Sequence, residues 1–518
     1  MCCSQLDAST RGRNNIASGD AVDQEKDLEG VTLYDPETNP TGVIDASGAS
    51  NALMKDWLAK YCAANYSNTP VDEFALWRRD WYRRYGNLKQ CTGASAKFVA
   101  EQNTELAEAV ARFVNRKFRP SDTVLPQHIL ATNGVSSLID MLAFNICDAG
   151  EGIMFPIPAY SMFGHDLCSK AGLTLLPVST KDVGNEFLAG SADAFIEAFE
   201  TVYQNASDKG VKVKAVIISN PSNPIGRFYS RCTLTKLAQF CGRHNLHLVS
   251  DEIYALSEFP AALGEEFLPS FTSVLSLEHD PRNYINAKNI HAMYGASKDF
   301  GMGGLRIGFL ITRNEQVWKA CRRVAVFTWL STFPVDFFTR FLNDTTAVDH
   351  FISVYQQRLR TKYLDVSACL KENLIPFDAA NGCLFVWLNL SCWLKYFDGE
   401  DRVGVMPSQT IISTERESTR ERQLSKHFIR HGVFLSRGEL SASPTAGRFR
   451  FVYTSEGNRA VLLVQRLRQA LHELERGVPF TSKECMYESD DDSVNKTTGK
   501  SKTGTVLLLE EESENREE

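Results

Sequence analysis

The residues able to do chemistry fall in four short clusters. In YGASKDFGMGGLRIGFL (Tyr294–Leu310), Lys298 and Arg306 are separated by a turn rich in glycine, with Ser297 beside the lysine. A lysine removed from water can lose its proton and attack a carbonyl to form a Schiff base, and an arginine's planar fork can hold a phosphate. In SDEIYAL (Ser250–Leu256), Asp251 closes an apolar run, where a carboxylate is costly to bury unless a cation meets it. Tyr254 follows closely enough to approach the same ligand. SNPSNPIG (Ser219–Gly226) is a rigid double Asn-Pro turn that presents the Asn223 amide. NGVSSLIDML (Asn133–Leu142) sets Gly134 before the amides of Val135 and Ser136 at a helix start, an anion site to which Ser136 adds a hydroxyl. Taken singly, each cluster has a plain structural explanation: a solvated lysine, a helix cap, a common turn.

Together they match the needs of one ligand. Pyridoxal 5′-phosphate (PLP) requires a lysine for its aldehyde, a carboxylate to keep its ring nitrogen protonated, hydroxyl or amide donors to its phenolic oxygen, and an anion cradle for its phosphate.

These clusters sit where strand-like runs end. HILATNG, EGIMFPIP, VKAVIISN, LHLVSDEIY and RIGFLIT are short and apolar, most of them ending in Gly, Pro, Asn or Asp. Helical periodicity fills the intervals in TELAEAVARFVNRKF, SSLIDMLAFNICDAG and TLTKLAQFCGRHN. Such alternation predicts an α/β domain with a mostly parallel sheet, whose ligands lie at the carboxyl ends of the strands. The expected divisions are a disordered leader (1–28), an N-terminal segment (29–70), a large PLP-binding α/β domain (71–345), a smaller α+β domain (346–477) and a disordered acidic tail (478–518). Within the smaller domain, the polar stretch 399–422 reads as a long exposed loop.

The 518 residues, 43% hydrophobic, suffice for a large core and more than one domain. Lys and Arg total 56 against 63 Asp and Glu, a net charge of -7, which gives no electrostatic footprint for nucleic acid or an acidic membrane surface. The thirteen cysteines include no CxxC pair, so neither a zinc site nor a disulfide framework is read, and no metal is expected. With no secretory signal and no apolar run of the roughly 18 residues that span a bilayer, the expected location is the cytosol. The adjacent Cys2 and Cys3 are of a type that can be palmitoylated, but such a pair in a disordered leader is more often chemically idle, and no membrane partner is expected.

The order NGVSS, PIPAYSMF, SNPSNPIG, SDEIY, GASKDFGMGGLRIG, GRFRFVY resembles the class I/II aminotransferases of PLP fold type I. Within them it is most similar to the 1-aminocyclopropane-1-carboxylate (ACC) synthases and their ACC synthase-like relatives. The likeness runs roughly from Leu33 to Leu471. It implies a large domain with a mostly parallel seven-stranded-type sheet plus a smaller α+β domain, PLP as cofactor, a small amino-acid substrate and a homodimer. By matched position, Lys298 would bind the cofactor's aldehyde and shuttle protons at the substrate's α-carbon, and Asp251 would pair with the ring nitrogen. Tyr254 and Asn223 would bond the phenolic oxygen, Tyr160 would stack on the ring, and Val135, Ser136, Ser297 and Arg306 would contact the phosphate. Arg450 would clamp the substrate carboxylate, leaving Arg448 as an ordinary solvated charge.

The likeness weakens outside the cofactor set. DASGASNAL (Asp45–Leu53) has Ser50 where the ACC synthases carry a glutamate, and their interface tyrosine is missing before the helix at Glu105; Tyr82 and Tyr85 lie upstream. The resemblance thus implies an aminotransferase acting on an α-amino acid or amino-acid-derived metabolite, secondary metabolism included. A carbon–sulfur β-lyase is the second reading, ahead of a true ACC synthase. A binding protein that lost its chemistry comes last, because Lys298 and Asp251 are both present.

Overall fold

The computed structural model describes residues 13, 15, 25–66, 96–259, 268–279, 284–397 and 415–476. The chain enters through a short strand, β1 (Ile44–Asp45), and a helix, α1 (Lys55–Tyr66), and α2 (Ala96–Lys117) leads into the large sheet. That sheet comprises β2 (Ile129–Thr132), β3 (Gly152–Ile157), β4 (Thr174–Ser179), β5 (Val213–Ser219), β6 (His247–Asp251), β7 (Ile290–Gly295) and β8 (Gly308–Thr312), in spatial order β2-β8-β7-β6-β5-β3-β4. β8 runs antiparallel to both β2 and β7, and every other pair is parallel.

Parallel neighbours need crossovers, which α3 (Val135–Ile146), α4 (Phe163–Cys168), α5 (Ala192–Asp208) and α6 (Arg231–Arg243) help to supply. Side chains alternate across the sheet. Val216, Ile218, Leu248 and Ala292 join one core with α2, α5 and α6, whereas Ala215, Ile217, Val249 and Met293 join a second with α3 and α4. Burial on both faces explains why these strands read as continuous apolar runs. Each buried Val, Leu or Ile contributes about 1.5–3 kcal/mol.

The β7–β8 connection is the exception to crossover. It is a short return, which pairs Gly295 with Gly308 and folds residues 296–307 across the end of the sheet. A Cβ on Gly308 would fall 2.6 Å from the Gly134 carbonyl carbon, so only glycine lets the return lie against the start of α3.

Beyond the sheet come α7 (Glu315–Val324), α8 (Thr332–Asn343) and the long α9 (Thr345–Glu372). Next are β9 (Phe377–Asp378), β10 (Phe385–Asn389), α10 (Glu415–Arg430), β11 (Val433–Phe434), β12 (Ser436–Arg437), β13 (Arg448–Val452) and α11 (Arg459–Arg476). An antiparallel sheet forms in the order β12-β13-β10-β9, while β1 pairs in parallel with β11. The molecule is thus an α/β structure whose large sheet is mostly parallel, as the strand–helix alternation predicted. Among the described residues, no helix is long and apolar enough to cross a membrane.

Several elements differ from the sequence reading. Residues 415–422, expected in a loop, form the first turns of α10. The helix was masked by its polarity: only a narrow stripe, including Leu424 and Phe428, is buried, and buried Glu421 accepts from the Glu439 and Gly447 amides. Apart from residues 13 and 15, the leader up to residue 24 lies outside the described residues, but Glu25–Leu28 is a 3-10 turn tied by Asp27 to Arg437. β4 and β7 were not among the strand-like runs. β4 is an edge strand carrying Pro177, and β7 includes His291, whose ring bonds Thr312. Cys2, Cys3, Tyr82, Tyr85 and the acidic tail lie outside the described residues.

Candidate active site

The ten residues singled out by the sequence all line one cavity of about 930 Å³. They are Val135, Ser136, Tyr160, Asn223, Asp251, Tyr254, Ser297, Lys298, Arg306 and Arg450. The cavity lies where the carboxyl ends of β5, β6 and β7 meet the α3 N-terminus, with β13 reaching in from the smaller sheet.

Asp251 ends β6 and is only 7% exposed. Its Oδ1 accepts from the Ile253 amide at 3.1 Å. Burial pushes its carboxyl up to about 7, partly opposed by that amide and by Lys298. A carboxylate in this condition is poised for a cation. The two strand-end loops are joined where the Asn220 amide donates to the Asp251 carbonyl at 2.9 Å.

Lys298 is half-buried on the β7–β8 return. Its Nζ donates to the Ala49 carbonyl at 2.8 Å and lies 5.9 Å from the Tyr254 ring centroid. Burial, with smaller contributions from Arg450 and Arg306, lowers this amine to about 8 against the pull of Asp251. The following residue, Asp299, anchors the return: its carboxylate accepts from the Leu256 amide at 2.9 Å and from the Tyr294 hydroxyl at 3.0 Å.

At the cavity's other end, Gly134 precedes α3 with φ +126, a conformation open to glycine. A Cβ there would meet Arg306 Nη2 at 2.6 Å. The helix N-terminus, Ser136 and a guanidinium thus converge on a spot kept open by the missing side chain, which is a phosphate-sized anion cradle. Tyr160 sits beside Ser136, and burial pushes its hydroxyl up to about 12.

Arg450 is 8% exposed and spans the opposite wall. Nη1 donates to Asn223 Oδ1 at 2.8 Å, Nη2 to the Ser47 carbonyl at 2.7 Å, and the guanidinium lies 5.1 Å from the Phe385 ring centroid. Its Nε is buried with no hydrogen-bond partner among the described residues. Arg448, read as solvated, is instead held by Asp378 at 3.1 Å. Both arginines share one face of β13, so strand alternation alone could not separate the buried one from the paired one.

The sequence reading missed the strap formed by residues 45–53. Besides Ser47 and Ala49, Asn51 Nδ2 donates to the Lys298 carbonyl at 2.9 Å and Thr454 Oγ1 to the Ser50 carbonyl at 2.6 Å. DASGASNAL stood out only as a departure from a family motif. Its backbone carbonyls, invisible to residue typing, are what touch Lys298 and Arg450.

Residues 90–464 match the model of the aminotransferase class I and II family. The chain belongs to that family. It is 31% identical over 378 residues to 1-aminocyclopropane-1-carboxylate synthase 7 of Arabidopsis thaliana, covering 71% of this chain and 77% of the relative. It is 29% identical over 464 residues to 1-aminocyclopropane-1-carboxylate synthase-like protein 1 of Mus musculus, covering 89% of this chain and 83% of the relative. Among solved structures, an aspartate aminotransferase double mutant from Thermus thermophilus superposes with a TM-score of 0.60 at 18% identity, over 90% of this chain and 100% of that one. An aromatic aminotransferase from Pyrococcus horikoshii gives 0.60 at 19%, over 87% and 99%. The fold is accordingly fold type I, and the family's cofactor is PLP.

The cavity fits that cofactor by its donor set. A buried amine lowered to about 8 faces the same space as a buried carboxyl raised to about 7. The glycine-lined anion cradle closes one end and an arginine fork the other.

Proposed function

We propose that this chain is a PLP-dependent aminotransferase acting on an α-amino acid or amino-acid-derived metabolite, and that it works as a homodimer in the cytosol. The observation that carries the reading is the convergence of the Lys298 amine, the Asp251 carboxyl and the Arg450 fork on one cavity. In this assignment Lys298 holds the cofactor and Asp251 pairs with its ring nitrogen. Val135, Ser136, Ser297 and Arg306 hold the phosphate, and Tyr160 stacks on the ring. Tyr254 donates to the phenolic oxygen, joined by Asn223. The Asn223 Oδ1 already accepts from Arg450, which turns its Nδ2 donor toward the ligand. When bound, PLP supplies an aldehyde that condenses with amines and a ring that accommodates the electron pair left at the substrate's Cα.

The protein's part is orientation and proton transfer. Arg450 takes the substrate carboxylate in place of the Ser47 carbonyl, which fixes rotation about the substrate's Cα–N bond. Lys298, released from Ala49, takes the Cα proton. Returned on the cofactor side instead of at Cα, that proton would leave the amino group with the cofactor once water releases the keto acid, and a second keto acid would then take the amino group by the reverse steps.

Two expected results follow here. Arg450→Ala should lower kcat/KM for α-amino acids by about 10²-fold, mostly through KM, since a carboxylate loses its charged fork. An equal loss with amines lacking the carboxylate would remove Arg450 from this role. Because only the neutral amine attacks an aldehyde, capture of PLP by the apoprotein should speed up with rising pH and level off near 8, where Lys298 loses its proton. An ordinary lysine would keep gaining to above about 10. Stopped-flow absorbance distinguishes the two profiles.

A carbon–sulfur β-lyase is the second reading, favoured by relatives that are ACC synthases and ACC synthase-like proteins. The deciding experiment supplies amino acids and cysteine conjugates, first without a keto-acid acceptor and then with one. Conversion of the cofactor to its amine form and amino transfer to the acceptor support the aminotransferase. Release of ammonia, pyruvate and thiol without acceptor overturns it in favour of the lyase.

A further inference from the structure

We propose that the end of α10 and the facing side of α11 form a binding site for a divalent ion of the zinc class, with His427, His431 and Glu473 as ligands. No metal was expected from the cysteines, and this group uses none. His427 lies in the last turn of α10, His431 follows one helical turn later, and Glu473 comes from α11. One donor atom from each lies within 4.8 Å of the other two. The imidazole centroids are 4.6 Å apart.

Two features distinguish this group from an ordinary polar contact. First, His427 Nε2 is 2.8 Å from the Ala470 carbonyl. A carbonyl only accepts, so the ring proton sits on Nε2 and Nδ1 carries the lone pair. A backbone carbonyl on the far nitrogen is the usual way a metal-binding histidine has its tautomer and orientation fixed. Second, Glu473 Oε2 lies 2.7 Å from His431 Nε2, so the two side chains already reach the same point between the helices. Two donor atoms facing each other in this way are suited to a shared cation.

The opposing group is Arg430, whose Nη2 lies 3.4 Å from His427 Nδ1. Arg430 is exposed on the helix surface, so its long side chain can swing into water. Tetrahedral zinc at about 2.0–2.1 Å from its ligands separates donor atoms by about 3.3 Å. The His431–Glu473 contact therefore has to open by roughly half an ångström, within the reach of a glutamate side chain. Two imidazoles and one carboxylate select zinc and its neighbours over calcium or magnesium, which take oxygen ligands, and a water would fill the fourth position. Because Phe428 packs edge-on against Phe449 of β13, an ion here would pin α11 to the helix that covers the smaller sheet. The four-residue His spacing was visible in the sequence; Glu473 is brought in only by the packing of α11.

The test is equilibrium dialysis of full-length holoprotein against Zn²⁺ alone, with melting temperature measured in parallel. Wild type should bind one ion that His431→Ala and Glu473→Gln each weaken by more than about tenfold, and Zn²⁺ should raise the melting temperature of wild type more than that of either variant. Cys392→Ser, which removes an exposed thiol, should retain the ion. Should His431→Ala fail to fold, Glu473→Gln decides the matter. Equal binding by wild type and Glu473→Gln, or loss of the ion in Cys392→Ser, would overturn the proposal.

Discussion

Lys298→Ala is expected to abolish the visible absorbance of the holoprotein and to lower turnover by more than about 10⁴-fold. Two functions vanish with one side chain. The covalent hold on the cofactor goes, and so does the group placed to move the Cα proton, a role that alone is worth about 10²–10⁴-fold. No neighbour can take over: Arg306 and Arg450 carry guanidinium groups, Asn223 an amide, and burial pushes the Tyr254 hydroxyl well above its ordinary value. The fold should survive. Lys298 Nζ makes a hydrogen bond to the Ala49 carbonyl, whose loss costs about 1–3 kcal/mol, partly offset by removing a buried amine. Circular dichroism unchanged from wild type, together with a colourless and inactive protein, is the expected pair of results. A variant that keeps its absorbance and turnover would remove Lys298 from its assignment.

Asp251→Asn should leave cofactor binding largely intact while slowing exchange of the substrate's Cα proton by about 10²–10³-fold. The carboxyl is buried and held near 7 for want of a cation. Opposite a protonated ring nitrogen it would ionise, and that charge would keep the ring able to accept electrons. Asparagine preserves the shape and can still accept from the Ile253 amide, so the loop should keep its conformation. It cannot supply the charge, and breaking such a buried pair costs about 3–5 kcal/mol, consistent with the slowing expected. Deuterium exchange at Cα, followed by NMR with a slow substrate, reads this step directly. An unchanged exchange rate would take Asp251 out of the mechanism.

What the sequence could reveal here followed from where side chains meet water. β5 and β6 were legible because both faces of the large sheet are covered, which leaves unbroken apolar runs such as VKAVII and LHLV. Asp251, Asn223 and Lys298 were legible because polar groups at the ends of such runs are costly without a partner. β7 was obscured by His291, a buried polar ring satisfied by Thr312 and His247, contacts no sequence window contains. α10 was hidden by a nearly all-polar surface over a thin buried stripe. The strap that meets Lys298 and Arg450 was illegible for a different reason, since it acts through the carbonyls of Ser47 and Ala49, which any residue type would carry. Arg448 and Arg450 share a strand face, and only the position of Asp378 tells them apart.

The central claim is that PLP is held covalently by Lys298. Borohydride reduction of the holoprotein, followed by proteolysis and mass spectrometry, tests it most directly. The account predicts one pyridoxyl adduct per chain, on the lysine of the peptide containing Gly295–Arg306, and none in Lys298→Ala. A reduced adduct on another lysine, or wild-type protein supplied with PLP that carries no adduct, would contradict it.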